Sequence, residues 1–140
     1  MKLKLAAFAL AAIAMAAPAA HARDDIQTYS LDLVRAHPDY ADKLGDFRFE
    51  FGDRIQGQVI ATTSSKRATN GINKKDQDAC VWAMLSALIA LRDDALENNA
   101  TSVQGIKSII SGSVYSSSTE FQCKSGFTNS QVSLQASLVK

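Results

Sequence analysis

The sequence predicts an α+β domain, a small and mainly antiparallel sheet packed against one long helix. Three observations carry that expectation. Residues 76–98 are the one long run whose apolar side chains recur at helical spacing. Phe47, Phe49 and Phe51 alternate with Arg48 and Glu50, the signature of a half-buried strand. Val132, Leu134, Ala136 and Leu138 alternate with Ser133, Gln135 and Ser137, a strand with one wet face.

Residues 1–22 read as a signal peptide, leaving residues 23–140 as a single α+β domain. Lys2 and Lys4 give the positive start, residues 5–17 the apolar core, and Ala20-His21-Ala22 the small-x-small cleavage site. Cleavage then falls before Arg23. No cysteine follows the apolar run to carry a lipid anchor. Such a leader implies export from a bacterial cytoplasm, to the periplasm or on to full secretion. Removing Lys2 and Lys4 from 15 basic side chains, against 14 acidic ones, turns the net charge from +1 to −1. No basic excess remains to suggest nucleic acid or anionic lipid as a partner.

In chain order, residues 26–34 alternate in part and are expected as a first strand, although Val34 falls on its polar side. Pro38 opens a short helix that Gly45 ends. After the phenylalanine strand, residues 55–63 are expected as another, with Gly57 allowing a bulge or close backbone approach. Residues 64–75 are polar, include Asn70-Gly71, and read as an exposed loop. In it Lys66, Arg67, Asn70, Lys74 and Lys75 form the candidate interaction surface. Asn73, three residues before Asp76, reads as the cap of the long helix.

On the helix wheel Val81, Met84, Leu85, Leu88 and Leu91 share the expected core face, with Cys80, Trp82 and Ile89 at its edges. Ala83, Ser86, Ala87, Ala90, Asp93, Asp94 and Glu97 fall opposite. Asn98 and Asn99 can stop this helix, and Arg92, Asp93 and Asp94 interrupt it too early for a membrane span. Residues 103–110 follow as a strand that is either bulged or buried on both faces. Residues 119–123 and 132–138 add two more, and the carboxy-terminal strands are expected as an antiparallel meander.

Two cysteines remain after the leader, Cys80 and Cys123. In an oxidising compartment they favour one structural disulfide closing a loop of about 40 residues. No C-x-x-C places a resolving thiol beside an attacking one.

Motifs of common chemistries are missing. No glycine loop has phosphate-binding spacing, and no G-x-S-x-G elbow supports a serine nucleophile. His37 is the single histidine outside the leader; with Asp39 and Asp42 it makes at most a weak surface metal site, and a solvent-facing turn histidine is the simpler reading. Neither an enzyme nor a cofactor is therefore expected.

The segment Lys66-Arg67-Ala68-Thr69-Asn70-Gly71, the helix with Ala79-Cys80 and Trp82, and Ser118-Thr119-Glu120-Phe121-Gln122-Cys123 resemble a family of small exported bacterial proteins often labelled "excinuclease ATPase subunit". That label conflicts with a chain lacking a phosphate loop, and the resemblance implies no activity or site residues. More loosely, the long helix followed by Asn99-Ala100-Thr101-Ser102-Val103 is similar to YbjQ-like and RcsF-like envelope domains. The latter departs in its lipid anchor, so the resemblance implies an envelope α+β module and nothing finer.

The functional expectation is a noncatalytic periplasmic binding or interaction module, whose partner is an envelope protein or cell-envelope component. The alternative is a small-molecule or metal-binding protein using a cleft between helix and sheet.

Overall fold

A computed structural model of the protein describes residues 23–140. The leader read over residues 1–22 lies outside the described residues. The chain runs β1 (Asp25–Ser30), α1 (Leu31–Arg35), α2 (Pro38–Leu44), β2 (Arg48–Phe51), β3 (Val59–Asn70), α3 (Asp76–Glu97), β4 (Ser102–Ser108), β5 (Glu120–Ser125) and β6 (Asn129–Val139). One long helix packs on a curled, mostly antiparallel sheet, which is an α+β fold.

β6 is the hub. It pairs with β3 along one edge, from Ala61↔Leu138 to Asn70↔Asn129. Its other edge is divided. β4 takes the carboxy-terminal half and β5 bonds only at Lys124↔Gln131 and Ser125↔Ser130. β1 continues from β5, and β2 lies parallel to β4. The expected meander is therefore corrected. Ser108 ends β4 by pairing with Tyr115 and accepting the Gln122 N–H on Oγ at 3.0 Å, so β5 diverges from β4 toward the rest of the β6 edge.

Three local expectations also change. Residues 31–34 are helical: Leu31 and Val34 are buried at i, i+3 spacing, which explains why Val34 spoiled the strand alternation. The strand expected over 55–63 starts later and runs much further, through Asn70. The helix cap is Lys75 rather than Asn73, and it makes no side-chain hydrogen bond. Asn73 instead takes a left-handed turn conformation, φ 59°, while Asp76 and Asp78 supply the favourable acidic first turn.

Other readings hold. Pro38 begins α2 and Gly45 caps it. β4 is both buried on both faces and bulged, its register shifting between Gln104 and Lys107. Gly57 does allow a close approach: a Cβ there would meet the Lys140 carbonyl oxygen at 2.5 Å. At the end of α3, Asn99 (φ 57°) takes the left-handed position usually given to glycine. The Ala100 and Asn99 amides then donate to Ala95 and Leu96 carbonyls at 2.8 and 3.2 Å, closing the helix.

The wheel needs a larger correction. Ala83 and Ala87, placed opposite the core, are fully buried, whereas Trp82 is exposed and Ile89 half-buried. The wet stripe runs through Trp82, Ser86, Ile89, Asp93 and Leu96, exposed at Trp82, Asp93 and Leu96 and half-buried at Ser86 and at Ile89, which packs against the core. Opposite it, Cys80, Ala83, Met84, Ala87, Leu91 and Ala95 face the sheet, an orientation pinned by the Cys80–Cys123 disulfide and by Thr63 donating to Asp94 at 2.9 Å. The expected face of Val81, Met84, Leu85, Leu88 and Leu91 is buried throughout, but the buried arc extends past it to Cys80, Ala83 and Ala87, so its centre lies roughly 60° from the large-residue stripe. Small side chains take the closest approach, and Leu31, Val34 and Leu44 of the short helices join the same core as Val81, Leu85 and Leu88.

Candidate functional site

Lys66, Arg67 and Asn70 belong to β3, not to a loop, and that changes how they can act. Successive strand residues point to opposite sheet faces. Thr63 bonds α3 and Ser65 is buried, so Arg67 shares their face, while Lys66 stands on the other with Thr62 and Ser64. Arg67 Nη1 donates to the Lys66 carbonyl at 3.0 Å. Asn70 Oδ1 accepts the Ile72 N–H at 2.9 Å, starting the turn that carries Lys74 and Lys75 to α3. The five positions thus follow one continuous rim from strand to helix start, with the two cations of β3 divided between its faces. All five are exposed. Among the described residues Lys66, Arg67, Lys74 and Lys75 have no carboxylate partner.

Lys74 also borders a cleft of about 380 Å³ with Leu33, His37, Gln77, Asp78, Val81 and Trp82. Its floor is an aromatic pair: the His37 ring meets Trp82 edge-on at 4.4 Å between centroids. His37 is not a free turn histidine. It is half-buried and caps α2, its Nδ1 accepting the Asp39 N–H at 3.1 Å. Among the described residues no group of three His, Cys, Asp or Glu is arranged to hold a metal ion. A second cleft, of about 540 Å³, opens on the sheet face away from α3, beside Ile55, Gly105 and Lys107. Neither lies between α3 and the sheet, where the side chains are close-packed.

Two polar arrangements escaped the sequence reading. Arg23 forms a two-pronged ion pair with Asp76 and a further one with Asp25 at 2.9 Å, clamping the first described residue to the start of α3. Burial and the nearby Asp76 charge push the Tyr29 phenol up. Gln104, almost fully buried, acts as a surrogate backbone: its Oε1 accepts the Gln56 N–H at 2.7 Å and its Nε2 donates to the Gln56 carbonyl at 2.9 Å. This fastens residues 52–58 over β4. At the far end of that segment, the Ser116 hydroxyl and then Lys107 hold the Asp53 carboxyl below its ordinary range. A glutamine inside a strand was the available signal, but its partner is 48 residues away.

Cys80 and Cys123 are joined, their Cα atoms 5.9 Å apart. The bond ties the first half of α3 to β5, and the Ser125 hydroxyl lies 3.4 Å from Cys80 Sγ. A disulfide agrees with a location outside the cytoplasm. Comparison of the chain with protein-family models, with curated proteins and with solved structures finds no match.

Proposed function

We infer that this protein is a noncatalytic interaction module of the bacterial periplasm, binding an envelope protein or other envelope component through the rim of Lys66, Arg67, Asn70, Lys74 and Lys75. The observation carrying this reading is four exposed cations without carboxylate partners among the described residues, strung along one edge strand and the turn into α3. A disulfide-braced core holds them, so they are free to serve recognition rather than stability. The leader-like residues 1–22 and the disulfide support the location.

Replacing Lys66, Arg67, Lys74 and Lys75 with alanine should reduce partner recovery from an envelope extract by severalfold. Thermal unfolding should barely move, because exposed charges add little to stability. Recovery equal to that of the unaltered protein would remove this surface from the function.

A second reading has its own observation. The cleft floored by His37 and Trp82 is of ligand size, and Lys74 and Asp78 at its border offer both charges. Trp82 is the one tryptophan of the chain, so its fluorescence reports directly on occupancy. A small molecule co-purifying in native mass spectrometry and quenching Trp82 would favour a small-molecule binder instead.

A further inference from the structure

β3 has twelve residues and pairs with β6 alone, so its outer edge is open among the described residues. The register says what that edge offers. Gly71 donates to the Thr128 carbonyl at 3.0 Å, continuing the pairing in which Asn70 lies opposite Asn129. In an antiparallel ladder hydrogen-bonded residues alternate, so Thr69, Arg67, Ser65 and Thr63 bond inward to β6. Thr62, Ser64, Lys66 and Ala68 therefore turn both N–H and C=O outward, the Lys66 carbonyl carrying the Arg67 guanidinium that a guest strand would have to displace. All four are exposed. Long open edges are ordinarily shortened, bulged or covered, and here the inner register runs without interruption from Ala61 to Asn70.

Charge selects the occupant. Val59–Asn70 contains Lys66 and Arg67 and no acidic residue. A second copy pairing antiparallel along this edge would bring basic residues toward basic residues with nothing in either strand to offset them. An acidic segment has no such conflict. Because Lys66 and Arg67 lie on opposite faces, a guest strand matches both only with two consecutive acidic residues, whose side chains also alternate between faces.

We propose that the outer edge of β3 binds an extended peptide segment with an adjacent pair of acidic residues, added as an antiparallel strand. This rests on the interaction reading above and specifies its partner: main-chain bonds give affinity, and the paired charges set the register. The remaining members of the rim, Lys74 and Lys75, then lie past the end of the guest strand at the start of α3.

The test uses the oxidised protein and a fluorescein-labelled peptide of alternating valine and threonine with a central Glu-Glu. Binding is read by anisotropy and by amide hydrogen exchange. The expected result is saturable binding, with new protection at Thr62, Ser64, Lys66 and Ala68, whose amides exchange freely beforehand. Separating the glutamates by one residue should weaken binding roughly threefold by losing one cross-strand pair. N-methylating alternate peptide residues should abolish binding in one phase and spare it in the other.

Saturable binding that depends on Lys66 and Arg67 without new amide protection would overturn strand addition while leaving the basic rim as an interaction surface. No binding of the peptide would overturn the proposal as well. Failure of both this test and the alanine-substitution recovery experiment would overturn the interaction reading with it. Concentration-dependent protection of the same four amides without peptide would assign the edge to a second copy. Self-association appearing only in Lys66→Thr, with the unaltered protein ignoring the peptide, would make Lys66 a guard of the edge and nothing more.

Discussion

Gln104 shows how much one side chain can organise. It sits in β4, almost without exposure, and satisfies both main-chain groups of Gln56 while donating to Ser102 Oγ at 2.9 Å. Replacing it with methionine keeps the length and removes every bond. The Gln56 amide and carbonyl would then need new partners or water, at about 2 kcal/mol. Urea unfolding of Gln104→Met should show that loss, whereas Gln135→Met on the wet sheet face should change little. Equal midpoints for the two variants would mean that the segment over β4 is held by Ile55 packing on Gly105 alone. The residue scale was also where sequence reasoning was weakest, because a buried glutamine and a solvated one look alike until the partner is in place.

At the scale of elements, α3 offers a direct test of its orientation. Ala83 and Ser86 fell on the same outer face of the wheel, yet Ala83 is fully buried and Ser86 belongs to the wet stripe. Ala83→Leu should lose about 1–3 kcal/mol through overpacking. Ser86→Ala should be neutral or raise stability by about half a kcal/mol from helix propensity. Similar effects at both positions would contradict the rotated packing. The helix itself was legible because its pattern and propensity agree over many turns. Its rotation was not, since a wheel weighted by side-chain size points at the largest residues rather than at the closest approach.

β3 illustrates a second limit. Strand alternation reveals a sheet with one dry and one wet face, and β6 displays it cleanly. The second half of β3, with Ser, Lys, Arg and Thr, lies at an edge where Ser65 is the last buried residue, so no apolar alternation survives. The candidate surface was therefore found by charge but assigned the wrong backbone. Period switching at Leu31 and Val34 was visible in the sequence as a broken alternation. Reading it as helix needed the knowledge that both residues meet the core.

Across the whole molecule the disulfide is the main covalent constraint. It joins positions 43 apart in sequence and connects the helix layer to β5, whose link to β6 is only two residue pairs long. Loss of the bond in Cys80→Ser, Cys123→Ser should cost about 2–5 kcal/mol, read as a lower urea midpoint than that of the oxidised protein. Non-reducing peptide mapping should recover Cys80 and Cys123 in one linked fragment. Separate alkylatable peptides from freshly isolated protein would contradict the pairing, and matching midpoints would deny the bond its mechanical role. Cysteine count and the leader-like pattern of residues 1–22 together made the pairing legible in advance; which layers it joins depended on the rotation of α3.

The hub position of β6 has a consequence in time. Among the described residues β3 finds its only strand partner in β6, and β4 and β5 adjoin each other in the sheet through that same strand. No segment ending before Asn129 contains what β3 must pair with, so the chain cannot be assembled from its beginning onward as it emerges. Distant pairings of this kind are slow to form because long stretches of chain must first be brought together. The sheet therefore cannot be completed until Asn129–Val139 is in place, and the register of β3 is fixed only by the last strand of the fold.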